Sequence, residues 1–182
     1  ISYALYGLLA FILGAAISYR FIDVVQRRVD VWLDPWSQAT TFGFQIIQDL
    51  FALASGGVFG TGLGLGRPDL IPAAYTDFVF AAIGEEMGAL GTMAVLALFV
   101  LLVYRGFRIA LEAPNGFEQL LATGLTAVLG LQSMVILGGN LRIIPLTGIT
   151  LPFVSYGGSS LLTNFLIVGL LLRISASGKP AG

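Results

Sequence analysis

The stretch FVFAAIGEEMGALGTMAVLALFVLLVY, residues 78–104, decides the class of fold. It is apolar over more than the length needed to cross about 30 Å of hydrocarbon at about 1.5 Å per residue, which leaves room for tilt. Only Glu85 and Glu86 interrupt it, and Arg105 and Arg108 close it. Three further segments read the same way, so spans are expected at about 1–19, 78–104, 117–139 and 155–173. The first ends at Arg20. The third follows Pro114 and Asn115, an expected N-cap, and carries Gln119 and Gln132. The fourth takes its opening turns from SYGGSS, residues 155–160. Composition agrees: of 182 residues 57% are hydrophobic and 10% charged, with mean hydropathy +0.91, far from an ordinary soluble domain. The expected fold class is all-α: a polytopic membrane helix bundle, one membrane domain over 1–182, with four spans and interfacial helices in a long loop, 20–77.

Composition also removes whole classes of function. A net charge of −1, with nine basic residues scattered along the chain, provides neither a nucleic-acid patch nor a polybasic membrane tether. The absence of cysteine and histidine excludes disulfides, imidazole bases and the usual zinc sites. Catalysis must then rest on carboxylates, hydroxyls, amides or arginine. The sequence starts without an initiator methionine or signal-peptide features, and is expected to be part of a longer protein whose other helices partner its buried polar groups. Basic residues leave orientation undecided: Arg20, Arg27, Arg28, Arg67 and Arg142 fall on one side, Arg105, Arg108, Arg173 and Lys179 on the other.

The long loop holds six of the ten acidic residues. Val25, Val29 and Trp32 are spaced i, i+4, i+7, so DVVQRRVDVWL is expected to lie in the headgroup layer with Arg27, Arg28 and Asp30 toward water, until Pro35 stops it. Phe42, Ile46, Leu50 and Leu53 form a second apolar stripe, with Gln45, Gln48 and Asp49 on a narrower polar arc beside it. Residues 55–66, SGGVFGTGLGLG, hold six glycines in twelve and read as a close-packed or mobile loop.

Asp77 stands where this loop meets the second span. It reads either as a helix N-cap, with Thr76 as competitor, or as a general base whose pKa partial burial would raise toward a useful range. Ala81, Gly84, Gly88 and Thr92 fall near its helical face, and Gly84 with Gly88 forms a GxxxG pair that permits close approach of other backbone. Glu85 and Glu86 lie about 12 to 13 Å further along and point roughly 80° and 180° away from Asp77. Both cannot serve one site with it, and at least one is expected to be structural, with counter-charges supplied by absent helices.

Gly60, Gly62, Gly64 and Gly66 lack the strand and βαβ unit of a nucleotide fingerprint. Gly157, Gly158, Ser159 and Ser160 open the fourth span, where free N–H groups and hydroxyls can hold an anion, although a flexible small-residue start explains them equally well. Arg67, beside Pro68, is either a solvated loop charge or a group that neutralises a phosphate or diphosphate.

The runs GTGLGLGRPDLIPAAYTDFVFAAIGEEMGALG, NGFEQLLATG and IIPLTGITLPFVSYGGSSLL resemble the SEDS family (shape, elongation, division and sporulation), which includes RodA, FtsW and SpoVE. The resemblance covers about Arg27 to Arg173 and implies the last four of ten spanning helices with their large extracellular loop, in a bacterial plasma-membrane protein. It implies a peptidoglycan glycosyltransferase that polymerises lipid II, a disaccharide-pentapeptide on undecaprenyl diphosphate. The family's essential aspartate, in the TDF motif, is here Asp77. Ser155, Gly157, Gly158 and Ser159 join Arg67 as candidate substrate contacts, while Glu85, Glu86, Gly84 and Gly88 are groove-building candidates. No cofactor is evident; a divalent cation would serve the departing diphosphate, and any metal ligands are unassigned. The implied partner is a class B penicillin-binding protein. Two other readings stand beside the enzyme: a lipid II transporter, and a non-enzymatic scaffold for that partner. Departures from the family are Ala73 and Tyr75 in IPAAYTDF, where many members have glutamate and histidine, and Thr147 in PLTG, which leans toward the RodA and SpoVE branch. Neither that glutamate nor that histidine can therefore be required for the chemistry here.

Overall fold

The computed structural model describes residues 2–177, so Lys179 lies outside the described residues. The chain divides into two compact units, Ile1–Ile47 and Gln48–Gly182. Six α-helices carry the fold: α1 (Ser2–Phe21), α2 (Asp23–Leu33), α3 (Gly43–Gly56), α4 (Val79–Leu111), α5 (Gly116–Asn140) and α6 (Gly158–Ser177). Among the described residues there is no strand, as a polytopic helical bundle requires.

In the first unit α1 is apolar on all sides, and an extended residue, Ile22, breaks it from α2 with a bend of 97°. The two together make a fourth, broken candidate span beside the three continuous ones. Val25, Val29 and Trp32 are half-buried and Arg27 and Arg28 exposed, as expected of an interfacial helix, but Asp30, expected toward water, is half-buried, and Val31, between the two arginines on the other face, is buried. The Tyr19 hydroxyl donates to Asp30 Oδ1 at 3.1 Å. The helix ends before Pro35, and Asp34 Oδ1 accepts from the amides of Trp36 and Ser37 in the turn that follows.

In the second unit α4, α5 and α6 pack on one another. Each is long and apolar enough to cross a membrane. Asn115 caps α5, its side-chain oxygen accepting from the Glu118 amide at 2.9 Å. Gly106 on α4 gives way to Thr126 on α5, where a Cβ would strike the threonine side chain. Ala110, Ala122, Leu129, Ile167, Leu171 and Ile174 form the core between the three helices. Phe80, Phe99, Ile136, Leu137 and Leu151 form a second core nearer the start of α4. The outward faces remain apolar, with Leu98, Val100, Leu131 and Phe165 exposed, which suits lipid as solvent.

The expected uninterrupted second span is broken. Gly88 has φ 66° and ψ −164°, a conformation essentially reserved to glycine. In a continuous helix the amides of Ala89 and Leu90 would donate to the carbonyls of Glu85 and Glu86. Instead Ala89 donates to Gly57 O at 2.9 Å and Leu90 to Val58 O at 3.2 Å. The freed carbonyls are taken by the same loop: Thr61 N donates to Glu85 O at 2.9 Å and Gly62 N to Glu86 O at 3.0 Å. Two rungs of the helix are thus exchanged for four bonds to residues 57–62, and the amides and carbonyls of both broken rungs are paired again.

Candidate functional site at the mouth of the second membrane helix

Asp77 lies in the turn that leads into α4, half-buried. The N-cap position is one residue further on, at Phe78, so Asp77 does not occupy the cap that its sequence context offered. The turn is wound about a single carbonyl. Ala73 O accepts from the amides of Thr76 and Asp77 at 3.1 Å and of Phe78 at 3.3 Å, and from the Thr76 hydroxyl at 3.2 Å. Ala73 itself has φ 58°. Residues three and four apart point inward, so that Ile71, Ala74, Phe78 and Ala81 pack with Ala52 while Tyr75 stands 70% exposed.

The three carbonyls that follow Ala74 each receive a donor from far along the chain. Tyr156 N donates to Tyr75 O at 2.8 Å. The Ser155 hydroxyl donates to Thr76 O, and Asn140 Nδ2 donates to Asp77 O at 2.9 Å. Asn140 is 0% exposed and Ser155 is 2% exposed. Ser155, expected among the substrate contacts, therefore uses its hydroxyl inside the protein, where it also accepts from Leu151 N at 2.9 Å. Nothing in the local sequence marks Asn140 for this role, since it follows Gly138 and Gly139 at a span's end and its partner lies 63 positions earlier.

Just beyond Tyr156, Gly157, Ser159 and Ser160 at the start of α6 line an open recess of about 460 Å³ with Gln132, Thr150 and Asn164. Gln132 Nε2 donates to Thr150 O at 2.8 Å, and the Thr150 and Ser160 hydroxyls bond at 2.8 Å. Gly158 is exposed at the first position of α6. Ser155 thus joins the Asp77 turn, while Gly157 and Ser159 face the neighbouring recess.

Arg67 belongs to a different group. Its amide donates to Glu85 Oε1 at 3.1 Å, and the residue is exposed. Glu85 is buried against Gly66, where a Cβ would press on its carboxyl group. The chain thus supplies a backbone amide to one carboxylate oxygen but not the counter-charge expected from absent helices, and Oε2 is buried without a partner among the described residues. Glu86 is half-buried, its Cγ against Gly66 and its carbonyl bound by Gly62. Gly84 lies against Leu53 and Gly56, and Gly88 against Gly60 and Val58. The GxxxG face therefore receives this loop and the end of α3 rather than another spanning helix.

Asp49 departs most from its expected setting. Placed by spacing on a polar arc, it is 1% exposed, and its Oδ1 is buried without a hydrogen-bond partner among the described residues. Burial pushes its pKa up to about 8. Among the described residues no three acidic, histidine or cysteine side chains gather as a metal cage.

A helical membrane bundle with an aspartate held at the mouth of one span defines the class: a polytopic membrane protein with a polar site at one end of its helices. The chain belongs to the FtsW/RodA/SpoVE family, whose profile, described as cell cycle protein, matches residues 1–179. It is 47% identical over 178 residues to the peptidoglycan glycosyltransferase RodA of Mycobacterium tuberculosis strain H37Rv, covering 98% of this chain and 38% of the relative. To the probable peptidoglycan glycosyltransferase FtsW of Geobacter sulfurreducens strain PCA it is 44% identical over 162 residues, covering 88% and 43%. The chain thus spans well under half the length of these relatives. Among solved structures it resembles a chain of a peptidoglycan synthase complex that coordinates polymerization and crosslinking, with TM-score 0.74, 30% identity, and 99% and 50% of the two chains covered. The rod-shape-determining protein RodA of Thermus thermophilus matches with TM-score 0.58 and 30% identity over 98% and 58%.

Proposed function

We propose that this chain forms the acceptor-activating part of a membrane peptidoglycan glycosyltransferase that polymerises lipid II on the extracellular face of a bacterial plasma membrane. The observation that carries the reading is Asp77: a half-buried acid at the mouth of a membrane helix, in a turn whose carbonyls are held from three directions. The names of its relatives support the same activity. In the reaction Asp77 accepts the proton of the GlcNAc 4-hydroxyl of one lipid-linked unit as that oxygen attacks the MurNAc anomeric carbon of the growing strand. The bond from that carbon to the diphosphate breaks, and undecaprenyl diphosphate leaves with the electron pair. Arg67, exposed in the loop before Asp77, neutralises the departing diphosphate, with or without a divalent cation that the diphosphate brings. The small residues Gly157, Gly158 and Ser159 at the start of α6 offer amides and a hydroxyl to the same anionic group. The working assembly includes a class B penicillin-binding protein that crosslinks the strand.

The test uses the full-length protein purified with that partner and supplied with lipid II. Asp77→Asn is expected to lower polymerisation by about 100-fold or more, the scale of losing a positioned base. Polymerisation by Asp77→Asn at the normal rate would overturn the assignment. Asp77→Ser is expected to fail likewise; if it polymerises normally, a scaffold role is favoured. Lipid II translocation without polymerisation by the unaltered protein would favour transport.

A further inference from the structure

We infer that Asn140 and Ser155 are positioning residues for Asp77, a role that rests on the reading of Asp77 as the base. Nothing in a turn obliges three successive carbonyls to be bound from outside it. Here Tyr75, Thr76 and Asp77 each accept from a separate donor, and two of the donors are side chains.

Both side chains are buried, where an amide or hydroxyl costs free energy unless its hydrogen bonds are made. Asn140 Nδ2 makes two, to Asp77 O at 2.9 Å and to Ile136 O at 3.1 Å one turn back on α5, while its Oδ1 is buried without a partner among the described residues. The second bond fixes the plane of the amide, so the first is delivered in a set direction. The Ser155 hydroxyl accepts from Leu151 N and donates to Thr76 O, a chain in which each bond polarises the next. Its own backbone is held in turn, because Ser155 N donates to Leu151 O at 3.0 Å.

The consequence concerns the Asp77 side chain. Its Cα lies between a carbonyl bound by Ser155 and a carbonyl bound by Asn140, while its amide is fixed on Ala73 O. With both flanking peptide planes fixed, φ and ψ at Asp77 are fixed, and with them the direction in which its side chain leaves the backbone. A base must meet its proton at about 2.6–3.2 Å, and a displacement of about 1 Å can cost about 100-fold in rate. The segment ITLPFVSY and the end of α5 therefore act on the reaction through the backbone of the TDF turn.

The experiment compares Ser155→Ala, Ser155→Thr, Asn140→Ala and Asp77→Asn in the full-length protein with its partner, measuring kcat and KM for lipid II and thermal unfolding. Ser155→Ala and Asn140→Ala are expected to lower kcat about 10- to 100-fold with KM within about twofold, and Ser155→Thr, which keeps the hydroxyl, to recover most of kcat. A packing role alone would instead lower the unfolding temperature and the amount of active enzyme, with kcat per folded molecule unchanged. That result overturns the inference, as does full kcat in Ser155→Ala. If Asp77→Asn is inactive while both alanine variants keep full kcat, the inference alone fails. If Asp77→Asn polymerises normally, the base reading fails and the inference with it.

Discussion

At the start of residues 79–87 the Asp77 turn is held by a serine, an asparagine and one amide from distant parts of the chain, whereas at their end the Gly88 break is held by the backbone of the glycine-rich loop. The two ends answer the same need, satisfying polar groups where a membrane helix is interrupted, by opposite means. The break depends on the absence of side chains, since Gly56, Gly60 and Gly88 would each drive a Cβ into opposing backbone. The turn carries side chains freely, including the exposed Tyr75, but depends on the chemistry of two buried polar groups. One end is a steric fitting, and the other is a hydrogen-bonded mount for an acid.

The contrast breaks most sharply at Gly88. Gly88→Ala places a Cβ against Gly60 and Val58 backbone and forces alanine to φ 66°, ψ −164°. Neither neighbour can yield without losing the bonds of residues 57–62 to α4. The expected cost is roughly 3 kcal/mol or more, read as loss of folded full-length protein in detergent. A Gly88→Ala protein that unfolds at the normal temperature would mean that the loop is not built into the helix.

Asp49 tests the same unit through pH. Its carboxyl lies one turn before Ala52 and Leu53 on the face of α3 that packs toward Phe78 and Ala81. A folded pKa of about 8, against an ordinary value of 3.8, means that the folded state keeps a proton which the unfolded state has lost. Stability therefore falls as pH rises from about 4 through 8, by at most about 1.4 kcal/mol per pH unit, and levels off above that range. Asp49→Asn is expected to remove this slope in the unfolding temperature and to leave the variant more stable than the parent at pH 8. An unchanged slope in Asp49→Asn would assign it to another group.

Asp49 also marks where sequence stops being informative. The helical class, the amphipathic α2, the Asn115 cap and the place of Asp77 at the mouth of a span were legible because each rests on local spacing or on one long apolar run. Burial on α3 is decided instead by what packs on it from elsewhere in the chain, as Ile71, Ala74 and Phe78 do on Ala52, and no period in residues 43–56 records that. The break at Gly88 was hidden for the same reason. A lone glycine in a helical pattern reads as tolerated, and its partners lie about thirty positions earlier in the loop. Ser155 was legible as a site residue but not as a holder of the TDF turn, and Asn140 was not legible at all, because both roles depend on α5 and residues 151–156 meeting that turn.

A smaller effect separates the acceptor of the Glu85 side chain from its bulk. Glu85→Ala removes the partner of the Arg67 amide and is expected to cost about 1–3 kcal/mol, whereas Glu85→Gln keeps an oxygen in reach of that amide and should cost less than about 1 kcal/mol. Equal losses in thermal unfolding would show that the loop is held by its glycine contacts alone.

The smallest expected effect lies on the turn itself. Ala73 holds φ 58°, where an L residue with a Cβ is strained by about 1 kcal/mol, yet its carbonyl is the hub of the turn. Glycine would relieve that strain but would also loosen the unfolded chain, by a comparable amount. Ala73→Gly is therefore expected to change stability by less than about 1 kcal/mol and to leave polymerisation unaffected, because the Asp77 backbone is fixed by donors on its far side. If Ala73→Gly instead lowers kcat with stability unchanged, the turn needs its own stiffness as well as its external donors, and the mount is shared between local conformation and distant hydrogen bonds.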